Sequence, residues 1–193
     1  FLIYKTTIFH TLKLTAKDNF YQTVKYIVIM NKINICGEDA SLDAEILFLH
    51  NRQLSRLPDE IWQLEKLKEL HLDNNQLTSL PPEIVRLEKL EYLNLSGNRL
   101  ISLPAVIGEL KSLGYLYLFG NQLTTLPAEI GGLGELVRLD LSYNQLTSLP
   151  VEIGKMKNLA RLYLLNNALS KTETEKIKTL LTNSEIYSDY DND

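Results

Sequence analysis

Residues 113–135, LGYLYLFGNQLTTLPAEIGGLGE, decide how the whole chain folds. Leu113, Leu116, Leu118, Leu123, Leu126, Ile130 and Leu133 form an apolar skeleton, with Asn121 in its middle and Pro127 after it. Residues 115–119 alternate, so Leu116 and Leu118 point one way while Tyr115, Tyr117 and Phe119 point the other. That is the pattern of a strand with one face in a core. Asn121 follows at a corner, where an amide side chain can bond backbone groups that the turn leaves unpaired. Beyond Pro127, Ile130 and Leu133 fall three apart, the spacing of a short helical turn with one buried edge. A unit this small cannot bury its leucines alone and needs a neighbour on each side.

Shifting the frame by 23 residues reproduces the skeleton in both directions. Leu67, Leu70, Leu72, Asn75, Leu77, Leu80, Pro81, Ile84 and Leu87 make one unit, and Leu90 to Leu110 the next, with Asn98 and Pro104 in the same places. After the central unit come Leu136 to Met156, with Asn144 and Pro150, and an incomplete unit from Leu159 to Leu169 with Asn167. The first unit, from Ala44 to Leu64, carries Arg52 where the others carry asparagine, with Asn51 adjacent. Terminal repeats are expected to be atypical because one side faces solvent. Three segments result: residues 1–43 as an N-terminal extension or cap, 44–169 as an array of six units, and 170–193 as a capping helix with an acidic tail.

The shared pattern, LxxLxLxxNxLxxLPxxIxxLxx, resembles the leucine-rich repeat family over residues 44 to about 182. Its 23-residue form is similar to the repeats of Ras-group and Scribble-type proteins of plants and animals, and to those of spirochaetes such as Leptospira. The resemblance implies an α/β fold, a curved horseshoe solenoid with a parallel β-sheet on the concave face and short helical or 3-10 segments on the convex face. It also implies a non-enzymatic module that binds a protein or peptide on the concave face, as in a signalling scaffold. The other class of function is the recognition or sensor part of a larger enzyme or effector, of ubiquitin ligase or GTPase type, whose catalytic part is absent from this chain.

Composition narrows the partners. A net charge of −4 gives no general preference for nucleic acid. No run approaches the roughly 18 apolar residues of a membrane span. Cys36 is the only cysteine, so disulfide-bonded caps cannot form. A monomer without cofactor or metal is expected. Cytoplasmic placement is favoured, and a bacterial secreted or surface protein stays open.

The two ends read differently. Ser170-Lys171-Thr172-Glu173 fits a capping box in which Glu173 reaches back. Residues 171–182, with Ile177, Leu180 and Leu181 on one edge, are expected to cover the last repeat as a helix, followed by a frayed polar tail. Residues 1–29 contain no Gly, Pro, Ser, Glu or Arg, and Met30 opens a more ordinary sequence. Either Met30 is the true start, or the first residues form a cap with residues 24–30 as a strand. The apolar run 26–30 is too short for a signal peptide.

The concave face follows from the register. Its outward positions are Ile46, Phe48 and His50; Glu69, His71 and Asp73; Tyr92, Asn94 and Ser96; Tyr115, Tyr117 and Phe119; Arg138, Asp140 and Ser142; Arg161, Tyr163 and Leu165. The candidate ligand-binding residues are Tyr92, Tyr115, Tyr117, Phe119, Arg138, Asp140, Tyr143, Arg161, Tyr163, His71 and Glu69. Aromatic residues and arginine dominate binding hot spots; the plainer account is that neighbouring rings stack and stiffen the sheet. Arg138 and Arg161 stand one repeat apart, about 5 Å by strand spacing. Either Asp140 counters one of them or an anionic group on a ligand does. Asn75, Asn98, Asn121, Asn144 and Asn167 form a structural ladder. His50, His71 and Asp73 read as solvated surface groups rather than metal ligands, and Cys36 has no partner histidine in sequence context.

Overall fold

A computed structural model describes residues 32–190. A hairpin of two antiparallel strands, β1 (Lys32–Ile35) and β2 (Glu38–Ser41), comes first. Cys36 and Gly37 turn it, both at positive φ (53° and 87°), the geometry of the tight turn that matches strand twist. Ile35 is buried, and Ile33 and Ala40 pack against the same core. β1 lies against the first convex segment, Asp59–Gln63, so the hairpin covers the open end of the first repeat. The alternatives for residues 1–29, and for a strand at 24–30, lie outside the described residues.

Seven parallel strands follow in chain order: β3 (Ile46–Phe48), β4 (Glu69–His71), β5 (Tyr92–Asn94), β6 (Tyr115–Tyr117), β7 (Arg138–Asp140), β8 (Arg161–Tyr163) and β9 (Glu185–Tyr187). Ile46, Glu69, Tyr92, Tyr115, Arg138 and Arg161 stand opposite one another 23 residues apart, and Glu185 follows after 24. The strand leucines Leu70, Leu93, Leu116, Leu139 and Leu162 are wholly buried. Burying each contributes roughly 1.5–3 kcal/mol, but only because the neighbouring units supply the other walls.

The return legs are five 3-10 turns: Asp59–Gln63, Pro82–Arg86, Ala105–Glu109, Ala128–Gly132 and Val151–Lys155. Each begins after a proline, such as Pro127 at φ −68°, whose fixed φ starts the turn. Each buries one isoleucine completely. Glycine sets how closely these turns approach. A Cβ on Gly108 would lie 2.0 Å from the Glu129 carbonyl oxygen, and one on Gly131 would lie 2.3 Å from that of Glu152. In the same column Trp62 is buried, and its indole is part of the core.

The asparagine column joins the units. Asn121 accepts a hydrogen bond from the Leu100 N–H (3.0 Å) and donates to the carbonyls of Leu95 (2.9 Å) and Leu118 (3.0 Å). Two of those partners belong to the preceding repeat. Asn98, Asn144 and Asn167 repeat the arrangement. Asn75 does the same for the first unit, accepting from the N–H groups of Arg52 and Leu54. Arg52 can stand in the first unit because, among the described residues, no earlier repeat precedes it for an asparagine to join.

The C-terminal end departs from expectation in three ways. The helix α1 is Lys171–Leu180, shorter than 171–182, and lies against the turn Val151–Lys155 as the convex segment of the last repeat. Ser170 caps it, accepting from the Glu173 N–H at 3.1 Å. The Glu173 carboxylate does not complete a capping box; it accepts from the Leu149 N–H (3.4 Å) and from Lys176 (3.2 Å). The tail is not frayed through residue 190, because β9 adds a seventh strand. Ile186 stands opposite Leu162 and packs on the core, and the Asp189 carboxylate accepts from the Asn166 N–H at 3.0 Å. In the preceding unit the Tyr143 N–H donates instead to the Leu165 carbonyl; here a side chain supplies the acceptor.

Three substitutions test this construction. Gly131→Ala should destabilise by about 1–3 kcal/mol because a backbone carbonyl blocks the new methyl group. Gly134→Ala, with no atom within 4 Å of its Cβ position, should be neutral or stabilising by up to about 1 kcal/mol. Asn121→Ala should lower stability by about 1–3 kcal/mol by leaving buried backbone groups unpaired. Urea denaturation midpoints report all three, and equal midpoints for the two glycine variants would contradict the packing described.

Candidate functional site

The outward positions of the sheet form one connected surface. Phe48 stacks on His71 (4.6 Å between ring centroids), and His71 packs on Tyr92 (4.8 Å). Tyr92 reaches Tyr117 at 5.2 Å and Tyr115 at 6.2 Å. The Arg138 guanidinium lies 5.3 Å from the Tyr117 ring and 4.5 Å from that of Tyr163. Tyr163 then stacks on Tyr187 at 4.6 Å, nearly parallel. The chain of rings and guanidinium touches all seven strands of the sheet.

That continuity is not a simple column. The register aligns Phe48, His71, Asn94, Tyr117, Asp140, Tyr163 and Tyr187. Asn94 and Asp140 interrupt the rings. Tyr92 and Arg138, from the neighbouring column, lean in at those two places. Asn94 donates to the Asp73 carboxylate (3.2 Å), and the Asp140 carboxylate accepts from the Ser142 N–H (3.0 Å), so both interrupting side chains are turned to local bonds. Burial pushes the Tyr92 phenol above its ordinary range, with Tyr117 adding to the effect.

The charges are placed differently from the sequence expectation. Arg161 is countered by Glu185 of β9 at 3.2 Å, not by Asp140. Glu185 also accepts from the Tyr187 hydroxyl (3.0 Å), and these two contacts hold its carboxyl below the usual range while Arg161 is held above its own. Glu69 sits 3.3 Å from His71. Asp73 bonds to Asn74 and Asn94. Among the described residues, no three His, Cys, Asp or Glu side chains gather as a metal site would require, and Cys36 is exposed in its hairpin turn.

A second ring contact lies at the edge of this surface. Phe119 and Tyr143 meet at 4.8 Å, and Leu165 is exposed beside them in the next repeat. Tyr143 has φ +57°. Its counterparts in the other repeats, Asn51, Asn74, Gly97, Gly120 and Asn166, share a positive φ and are residue types that tolerate it. Tyrosine does not, which makes Tyr143 the strained member of its column.

Sequence reasoning missed Glu185 and Tyr187. The signal was present in Glu185-Ile186-Tyr187, which mirrors Arg161-Leu162-Tyr163, but the spacing is 24 and the helix intervenes. Tyr115, Tyr117, Tyr163, Phe119, Tyr143 and Arg138 do come together on one surface.

A family model described as "Leucine rich repeat" matches residues 65–123, and another of the same description matches 135–156. A leucine-rich repeat protein of Leptospira interrogans is 41% identical, aligning 69% of this chain with 40% of its own at a TM-score of 0.59. An internalin of Listeria monocytogenes shares the fold at 22% identity, with a TM-score of 0.61 over 77% of this chain and 41% of its own. A plant ice-binding protein is 30% identical over 58% of this chain and 38% of its own, at a TM-score of 0.53. The chain thus spans about two fifths of the length of each of these three solved proteins. Comparison with curated proteins gave no match. Among the described residues no helix is long and apolar enough to cross a membrane. The repeat register, the seven-stranded parallel sheet, the 3-10 return legs and these matches agree: the chain belongs to the leucine-rich repeat family.

Proposed function

We propose that the concave face binds a protein or peptide ligand, with the ring ladder as its contact surface. Leucine-rich repeat domains are generally protein-interaction modules and typically non-enzymatic. The observation that carries the proposal for this face is the uncovered aromatic surface on a rigid sheet. Tyr115 is 43% exposed, Phe119 42% and Tyr143 52%. Contiguous exposed apolar surface of this kind marks interaction sites. A pre-ordered sheet also loses little conformational freedom on binding, so more of the contact energy appears as affinity. Stacking between rings stiffens the surface and does not compete with a binding role.

Tyr143 supports the same reading. Stability alone would place Asn or Gly at its turn, as in the other repeats. A tyrosine there lowers stability locally and enlarges the exposed ring surface. The limited coverage of the matched structures supports a second version, in which this face is the recognition portion of a longer protein. The surface is the same in both.

Affinity capture with the folded chain, read against Tyr117→Ala, tests the proposal. The variant should weaken capture of a specific partner by about 1–2 kcal/mol. Its thermal midpoint should stay near wild type because the ring faces away from the core. A partner whose affinity ignores Tyr115, Tyr117 and Tyr163 alike would place the site elsewhere. Tyr143→Asn should do two opposite things: raise stability by up to about 1 kcal/mol by relieving the positive φ, and weaken capture. Loss of stability in that variant would show that the Phe119 contact outweighs the backbone strain.

A further inference from the structure

From the charge balance of the concave face we infer that Arg138 is a receptor for one carboxylate, the Asp or Glu side chain of an extended segment in the partner protein. This rests on the concave-face reading and goes further, to the chemistry of the partner. Three groups on this surface could have paired with one another, and two already hold other partners. Arg161 is paired with Glu185 at 3.2 Å. Asp140 accepts from the Ser142 N–H at 3.0 Å. Arg138 has no carboxylate within ion-pairing distance among the described residues, and its Nε is buried without a hydrogen-bond partner.

An unpaired buried donor is costly, and a charged one more so. Tyr117 and Tyr163 hold the guanidinium between them, at 5.3 and 4.5 Å, so its position is set before any ligand arrives. What a held guanidinium offers is its in-plane fork of N–H donors, which suits the two oxygens of a carboxylate. The rings on either side would meet apolar groups flanking that carboxylate.

A phosphate would carry about −1.5 to −2 charges and calls for more than one free cation. Among the described residues of this face Arg138 is the one guanidinium without an ion pair, and Arg161 is paired with Glu185. Asp140 stands on the same strand as Arg138 and Glu185 two strands away, and the chain is net negative at −4. A single carboxylate matches the one unpaired guanidinium.

The test is selection of peptides from a displayed random library on the full chain. Selected peptides should share an Asp or Glu and should lose binding to Tyr117→Ala. On wild type, changing that acid to Asn or Gln should weaken binding about tenfold or more. On Arg138→Gln the same change should matter less than about twofold, the non-additivity expected of a direct pair. Arg138→Lys, which keeps the charge without the planar fork, should bind in between. The acid-to-amide change is read on the wild-type chain, so any instability of the arginine variants does not affect it. Peptides that need Tyr117 but show no acidic preference, or an acid whose loss costs the same on Arg138→Gln, would overturn the inference and leave the concave-face reading standing. Tighter binding of a phosphoserine version would overturn the choice of carboxylate. Peptides indifferent to Tyr117→Ala, or none at all, would overturn both.

Discussion

The constraint on which everything else depends is the hydrogen bonding of the repeat corners. Each strand ends at a turn that leaves backbone groups facing inward, where water cannot reach them. One asparagine amide per repeat satisfies groups on two adjacent repeats, as Asn121 does with Leu95, Leu100 and Leu118. Orphaned, such groups would cost about 1–3 kcal/mol each. Because the side chain bridges backward, it fixes the distance and the register between neighbours together. The leucines then fall into line, and the apolar core becomes continuous from Ile35 to Leu181.

Fixed register is what turns separate aromatic residues into a surface. Side chains at equivalent positions of adjacent parallel strands lie about 5 Å apart, within ring-stacking distance. The sheet therefore imposes contact wherever rings recur, and residues of the next column fill the gaps. On this scaffold, the residues that serve stability and those that can serve recognition are sorted by direction. Leu116 points in and Tyr115 and Tyr117 point out of one three-residue strand. Tyr143 is where the two demands conflict, since its backbone asks for glycine or asparagine.

The ends of the array solve a different problem. An open repeat exposes a hydrophobic cross-section, and each end closes it with what the local sequence allows. At the front, a tight hairpin lays Ile33, Ile35 and Ala40 over the first core layer. At the back, α1 replaces the 3-10 turn and β9 extends the sheet, with Asp189 supplying an acceptor that another repeat would have offered. Glu185 also settles the charge of Arg161. The end structure thus leaves Arg138 as the arginine of this column without a counter-ion among the described residues.

How much of this was legible depended on whether it repeats. The 23-residue period, the inward leucines, the asparagine corners and the outward columns follow from the sequence alone, because each is dictated by neighbours two to four residues away and then recurs. The hairpin at Cys36 and Gly37, the strand at Glu185, the burial of Trp62 and the pairing of Arg161 do not recur, so no period revealed them. The ring ladder lies between these cases. Its columns were readable, but its continuity was not, because Tyr92 and Arg138 cross to the adjacent column. Which way a side chain leans is decided by the space its neighbours leave and by where Asn94 and Asp140 spend their hydrogen bonds. Those are contacts between residues about twenty or more apart, or rotamer choices made against them. The sequence by itself determined a leucine-rich solenoid and the columns of its concave face. Only the tertiary structure decided which charges cancel and which rings meet, because both depend on side chains brought together from different repeats.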